Sequence, residues 1–346
     1  MDGNNELEGL KQSQQESLNP ESQTLEAGGV GWFKRLKDRF GGVFKSEKKI
    51  GGHKVTIDVF YNKHRGAEET KGMEDQFQKA DIYIPEVFGW TPEYLNDLRK
   101  LSNGDATPDE VLQKMGEKNP HYYSRDKNLF NLIYNSKKPI TVIDIPEGHP
   151  LDDREREIKF PKIQFGSGFG QPLDSVREYI KKSSVMEKER EAYMFGQFEP
   201  KIQELINTHP ELARRQQINA LLSIGGAHML LSNKLKNEYQ ITKEFSAAPR
   251  IFLYKEEAMI RYMFGKPVDD ELVARIVAEQ LLSIAHNKLF VTDDSIGDVK
   301  SVRKLVSRFS FNDMKNMFER ARDLDEWADS FVQRSKEELK VAATVS

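Results

Sequence analysis

The stretch Gln217–Leu235 constrains the fold most. A largely apolar run from Ile218 to Ile224 ends in Gly225-Gly226-Ala227-His228 and passes into Met229-Leu230-Leu231. A buried strand that finishes in two glycines and then exposes an imidazole at the start of a helix is one way an open α/β sheet presents a reactive group. His228 is therefore the first candidate site residue. The plainer alternative is a tight strand-to-helix turn in which the imidazole caps the helix.

Strand and helix signals alternate through the first two thirds of the chain. Val55–Tyr61 has strand alternation and runs into Asn62-Lys63-His64, a helix-compatible stretch spans Ala67–Lys79, and a short strand, Ile82-Tyr83-Ile84, stops at Pro85-Glu86. Helical pieces over 92–101, 108–115 and 127–136 lead to another strand, Ile140–Ile145, stopped by Pro146. The glycine-rich loop Phe165–Pro172 lacks a preceding buried strand and a Gly-Lys-Ser ending, so it reads as a flexible connector or lid and not a phosphate cradle. A long helix follows to about Leu205, and the strand at 218–225 closes the α/β part. From Lys255 onward the pattern is helical, with Leu272, Val273, Ile276, Val277, Leu281 and Ile284 recurring at helical spacing.

The expected organisation is thus a polar, disordered tail over 1–29, a basic amphipathic segment over 30–49, an α/β domain over 50–254 and a helical region over 255–346. The sheet of that domain is expected to be mostly parallel and flanked by helices. In the amphipathic segment, Trp32, Phe33, Leu36, Phe40, Val43 and Phe44 share one helical face and basic residues cover the other. Such a face suits a membrane surface or a protein partner, or else it docks on the protein's own core.

Charge and cysteine usage narrow the chemistry. The 52 basic and 55 acidic side chains are intermixed and sum to −3, so no global field recruits nucleic acid. Cysteine is absent, which leaves His, Asp and Glu as the ligands for any metal. No apolar stretch is long enough for a spanning helix and no leader pattern opens the chain, so a cytoplasmic location is expected, with membrane association resting on the amphipathic segment.

His64, Glu86 and His228 each stand at or just past the carboxyl end of an expected strand, and in a parallel sheet such ends open onto one crevice. Two imidazoles and a carboxylate can hold a divalent ion and leave a position for water. Without a metal, Glu86 and one imidazole could act as acid and base. Arg190 lies within a helical stripe that is otherwise apolar except for Gln197, and a buried guanidinium needs an anionic partner such as Glu86. Asp144, also at an expected strand end, is a supporting candidate, although Asp before a turn usually serves its local backbone. His53, His121, His209 and His286 sit in settings that suggest no function.

The segments Lys79–Glu86, Arg190–Met194 and Leu222–Leu230, taken in order, resemble three signatures of the TraB/PrgY/Tiki superfamily, whose relatives include erythromycin esterases and the ChaN haem-binding lineage. Two Gly-x-x-His motifs, a glutamate at a strand end and an arginine between them mark that superfamily. Across roughly 53–245 the resemblance implies an α/β fold of two similar halves. It also implies metal-assisted hydrolysis of an amide (peptide) or ester bond, with Mn, Co or Zn held by His64, Glu86 and His228. Glu86 and Arg190 then carry catalytic roles. The first motif departs from the pattern, since Tyr61-Asn62-Lys63-His64 has tyrosine where the family has glycine. Two further readings stand beside the hydrolase: a catalytically silent binder of a peptide or small molecule, and a peripheral membrane adaptor acting through Trp32, Phe33, Leu36, Phe40 and Phe44. Substrate, metal identity and oligomeric state are left open.

Overall fold

A computed structural model of the chain describes residues 48–62, 68–116, 120–246, 253–289, 302–331 and 333–334. The expected tail and amphipathic segment, including Trp32–Phe44, and the motif histidine His64 lie outside the described residues. The elements run β1 (Lys49–Ile50), β2 (His53–Asn62), α1 (Glu68–Lys79), β3 (Ile82–Pro85), α2 (Pro92–Asn103), α3 (Pro108–Met115) and α4 (Pro120–Ser136). They continue with α5 (Pro150–Glu157), α6 (Gly170–Thr208), α7 (Pro210–Ala213), β4 (Gln217–Gly225), α8 (Met229–Glu238) and β5 (Gln240–Phe245). Helices α9 (Tyr254–Met263), α10 (Asp270–Leu289) and α11 (Phe311–Arg320) complete the named elements, so the fold is mixed α/β with further helices after the sheet.

The sheet is mixed. β4 lies between β2 and β3 and is parallel to both, from Lys54↔Gln217 to Asn62↔Gly225 on one side and from Ile82↔Ala220 to Pro85↔Ser223 on the other. β5 runs parallel to the other edge of β2, whereas the short β1 is antiparallel to it. The central place of β4 explains its composition, because a strand covered on both faces carries apolar residues at consecutive positions instead of alternating ones.

Two expectations need correcting here. Residues 140–145 form no strand ladder: they are buried, and their backbone pairs with β3 through an isolated Tyr83↔Ile140 bridge. β5 was not expected, because Gln240–Phe245 is largely exposed, and an edge strand open to water needs no apolar alternation.

Helices cover both faces of the sheet. On one, Ile57, Val59 and Tyr61 of β2 and Ala220, Leu222 and Ile224 of β4 pack with Met194, Phe198, Ile202 and Leu205 of α6 and with Leu231 and Leu235 of α8. On the other, Phe60, Tyr83 and Leu221 meet Phe77 of α1, Leu98 and Leu101 of α2, and Phe130 and Ile133 of α4. Helix α6 spans 39 residues, which at 1.5 Å per residue is about 58 Å. That length lets its amino-terminal half, through Leu173, Val176 and Ile180, enter a second core with α9, α10 and α11, while its carboxyl-terminal half packs on the sheet. The glycine-rich loop before it is anchored and is not a free connector: Phe165 stacks on Phe318 at 4.8 Å, and buried Phe169 lies 5.2 Å from Phe318.

Buried Glu279 of α10 joins the helices of that second core. Its Oε2 accepts the Tyr254 N–H at the start of α9 at 3.0 Å, while its Oε1 has no hydrogen-bond partner. Burial pushes its carboxyl up to about 7, against the opposing pull of Arg303. A carboxyl whose folded value lies above its unfolded one stabilises fully below the unfolded value, and that contribution is lost as pH rises through the folded one. We expect stability to fall by about 3 kcal/mol between pH 4.5 and 8 on this account. Glu279→Gln, which keeps an oxygen for the Tyr254 N–H, should remove that loss. Urea unfolding at both pH values checks this, and equal pH slopes for the two proteins would refute it.

Candidate functional site

Three separate stretches meet at the carboxyl edge of the parallel strands. Glu86 follows β3, His228 follows β4 at the mouth of α8, and Arg190 comes from the middle of α6. Glu86 is anchored by its backbone, since its N–H donates to Ser223 O of β4 at 2.9 Å. Its Oε2 accepts the Gly225 N–H and its Oε1 lies 2.7 Å from His228 Nε2. Arg190 Nη2 lies 2.9 Å from the same Oε1. Glu86, Arg190 and His228 are therefore mutual neighbours, as the sequence pattern anticipated, while His64 lies outside the described residues.

The guanidinium is held from several sides. Asp144 takes two of its bonds, Nε to Oδ1 at 2.9 Å and Nη2 to Oδ2 at 2.5 Å, and Glu187 Oε2 stands 3.5 Å from Nη1. Phe88 lies against the guanidinium at 4.8 Å. Asp144 is itself positioned by the loop after β3, where Trp90 Nε1 donates to the Asp144 carbonyl at 2.7 Å. Asp144 serves its local backbone too, through the Ile145 N–H, but its main partner is Arg190.

Two further carboxylates complete the cluster, and sequence reasoning missed both. Glu187 and Glu191, one turn apart on α6, are buried at 5% and 0% exposure, and His228 is 2% exposed. Glu191 Oε2 accepts the N–H of Leu231 in the first turn of α8, a helix end that attracts negative charge. The signal was present in principle, because Met186, Glu187, Arg190, Glu191 and Met194 follow the 3.6-residue period of one buried face. Charged residues flank that face on both sides, so the sequence alone does not separate Glu187 and Glu191 from a solvated row.

The capping alternative for His228 fails. It occupies the N-cap of α8, yet its side chain makes no capping bond. Instead Nε2 faces Glu86, and Nδ1 lies 3.0 Å from Glu187 Oε1 and 3.9 Å from Glu191 Oε1. These last approaches are close enough for charge attraction but misaligned for hydrogen bonding: His228 Nδ1, Glu187 Oε1 and Glu191 Oε1 are all buried without a hydrogen-bond partner. One ligand atom from each of these residues can be chosen so that all three lie within 4.8 Å of one another. Of the expected ligand set of His64, Glu86 and His228, His64 lies outside the described residues. Glu86 sits on the opposite ring nitrogen, and Glu187 and Glu191 are the carboxylates that face Nδ1.

Electrostatics follows from this geometry. Burial lowers the proton affinity of the His228 ring, but Glu86 and Glu187 outweigh it and raise the imidazole well above its usual value. Burial would push the Glu187 carboxyl up; Arg190 and His228 overcome that and hold it below the ordinary range. Burial, helped by repulsion from Glu187, pushes Glu191 up to about 7 despite His228. Among the described residues the cluster thus carries more carboxylates than cations, and the raised His228 and Glu191 offset the excess by holding protons.

Tyr61 lies within β2, paired with Ile224 of β4. Its ring stacks on Phe245 at 4.8 Å and its hydroxyl donates to Ser232 Oγ at 2.6 Å. Two other histidines serve local structure: His149 Nδ1 accepts the Leu151 N–H at the start of α5, and His53 Nδ1 contacts the Arg215 carbonyl. A polar cleft of about 420 Å³ lies toward the opposite end of the strands, lined by Thr56, Asp58, Asn219 and Thr242. Its side chains bond one another, Thr56 to Asn219 and Asn219 to Asp58, so it is not linked to the buried cluster.

Among the described residues no helix is long and apolar enough to cross a membrane. No protein-family profile, curated protein or solved structure matches the chain. The resemblance to the TraB/PrgY/Tiki superfamily accordingly rests on the motif residues alone.

Removing Arg190 would leave the wholly buried Asp144 side chain without its main partner. Arg190→Met should cost about 3–5 kcal/mol of stability at pH 7, the magnitude typical of stranding a buried charge. Urea unfolding reads this, and a loss below about 1 kcal/mol would mean that the carboxylates find water or protons at little cost.

Proposed function

We propose that the protein is a metal-dependent hydrolase of amide (peptide) or ester bonds, with a divalent ion held by Glu187, Glu191 and His228. The observation that carries this reading is a set of three buried polar atoms without hydrogen-bond partners, Glu187 Oε1 and Glu191 Oε1 lying 3.0 and 3.9 Å from His228 Nδ1. Buried polar atoms without partners are costly, and carboxylate and imidazole ligands suit Mn²⁺, Co²⁺ or Zn²⁺. Such an ion would polarise a carbonyl and bring the deprotonation of water toward neutral pH.

The surrounding residues support this chemistry by orientation. With an ion bound, Glu86 at 2.7 Å from Nε2 would keep the one imidazole proton on Nε2 and leave Nδ1 free to act as a ligand. The Gly225 N–H and Arg190 hold Glu86 in place, and Asp144 holds Arg190. With Asp144 and Glu86 occupying its donors, Arg190 orients Glu86 and is poorly placed to meet an oxyanion.

A second reading is favoured by burial. His228, Glu191 and Asp144 are 2%, 0% and 1% exposed, as expected of an ionic lock that joins β3, β4 and α6 in a silent peptide- or ligand-binding protein. Metal titration of the full chain separates the two readings. The hydrolase requires about one equivalent of Mn²⁺, Co²⁺ or Zn²⁺, lost in Glu187→Gln and in Glu191→Gln. Glu86→Gln should weaken binding by about 10–100-fold and abolish turnover on a peptide and ester panel while the fold survives. A chain that binds none of the three ions in calorimetry is the silent lock.

A further inference from the structure

Glu187, Glu191 and His228 are buried, so an ion reaches them only when one of the walls around them gives way. Among the described residues those walls are the segment after β3, helix α6 and the start of α8, and they are held unequally. The first is strapped to the 144–147 segment: the Gly89 N–H donates to the Ile145 carbonyl at 2.8 Å, the Glu147 N–H to the Trp90 carbonyl at 2.9 Å, and Trp90 Nε1 to the Asp144 carbonyl. Helix α6 is embedded in one core by its amino-terminal half and in another by its carboxyl-terminal half.

The start of α8 has little of its own to hold it. It carries no acidic residue in its first turn, and its N-cap side chain makes no capping bond. The hydrogen bond from the Ser232 N–H to the His228 carbonyl is stretched to 3.5 Å, against about 2.9–3.0 Å for an ordinary one. Met229 and Leu230 are only half-buried; Leu231, Ser232 and Leu235 pin the helix further along, in the sheet core and through the Tyr61 hydroxyl. A helix end without its own cap leaves orphan N–H groups and depends on outside acceptors. Here the acceptor comes from α6: Glu191 Oε2 takes the Leu231 N–H, while Glu191 Oε1 and Glu187 Oε1 face the ring of the N-cap residue itself.

We infer that the turn 226–230, which carries His228, is the door of the buried centre: it swings out to admit the ion and is held shut once the ion is bound. This role of the turn depends on Glu187, Glu191 and His228 being the ion's ligands, as proposed above. Two of them stand on the fixed wall and one on the door, so an ion bonded to all three ties the turn to α6. By linkage, such an ion stabilises the shut form in proportion to its concentration over its dissociation constant. Loading of the centre and closure of the amino terminus of α8 are then one equilibrium.

Hydrogen exchange of the full chain, read at the Leu231 and Ser232 amides with Mn²⁺, Co²⁺ and Zn²⁺ added in turn, tests this. Without ion, these amides should exchange roughly tenfold or more faster than that of Leu222 in β4, because the door opens while the sheet stays paired. With a bound ion at about 100 times its dissociation constant they should slow about 100-fold. Glu191→Gln keeps an oxygen for the Leu231 N–H and loses the ion, so the slowing should vanish in that variant. Calorimetry on the same samples separates the two failures. If none of the ions binds, the hydrolase reading goes and the door with it. If an ion binds but the two amides slow by less than about threefold, or if without ion they exchange no faster than Leu222, the door alone is overturned.

Discussion

A guanidinium removed from water must meet compensating negative charge, and Arg190 draws that charge from distant parts of the chain. Glu86 comes from the end of β3, Asp144 from the extended segment after α4, and Glu187 from its own helix. Each of these must reach its position before the charge is compensated, so the arginine ties the closure of the sheet edge to the docking of α6. His228 extends the same network to β4 and α8 through Glu86 and Glu187. The packing on either side supports this centre: Met194 and Phe198 of α6 join the sheet core directly below it.

The network is unbalanced in a specific direction. Among the described residues, Glu86, Asp144, Glu187 and Glu191 face Arg190 and His228 as cations; Glu86 and Glu187 raise the imidazole against burial, and burial pushes Glu191 up to about 7. A divalent ion would answer the same excess. This is why the proposed hydrolase and the silent lock share nearly every structural feature and differ in whether protons or metal occupy the space between Nδ1 and the two carboxylates.

Much of the site was legible because strand ends are readable. A proline after Ile84 and paired glycines after Ile224 mark where strands stop, and parallel strands bring their stops to one edge, so Glu86 and His228 could be placed together. Arg190 was legible as a charge in an apolar stripe. Glu187 and Glu191 were not, because an acidic residue in a highly charged helix looks the same in sequence whether it faces water or a histidine. The extended segment at 140–145 shows the converse: its apolar run signals burial correctly, but burial is shared by strands and by segments that only lie beside them.

The sequence by itself determined the alternation of strands and helices, the central apolar strand β4, the carboxyl-terminal helices and the convergence of Glu86, Arg190 and His228, since these depend on local periodicity and chain-stopping residues. Only the tertiary structure decided that β5 adds an edge, that α6 serves two cores, and that Glu187 and Glu191 supply the carboxylates facing Nδ1. Those outcomes depend on which face of a helix is pressed against which neighbour, and that choice is made by packing over the whole chain and not by any one segment.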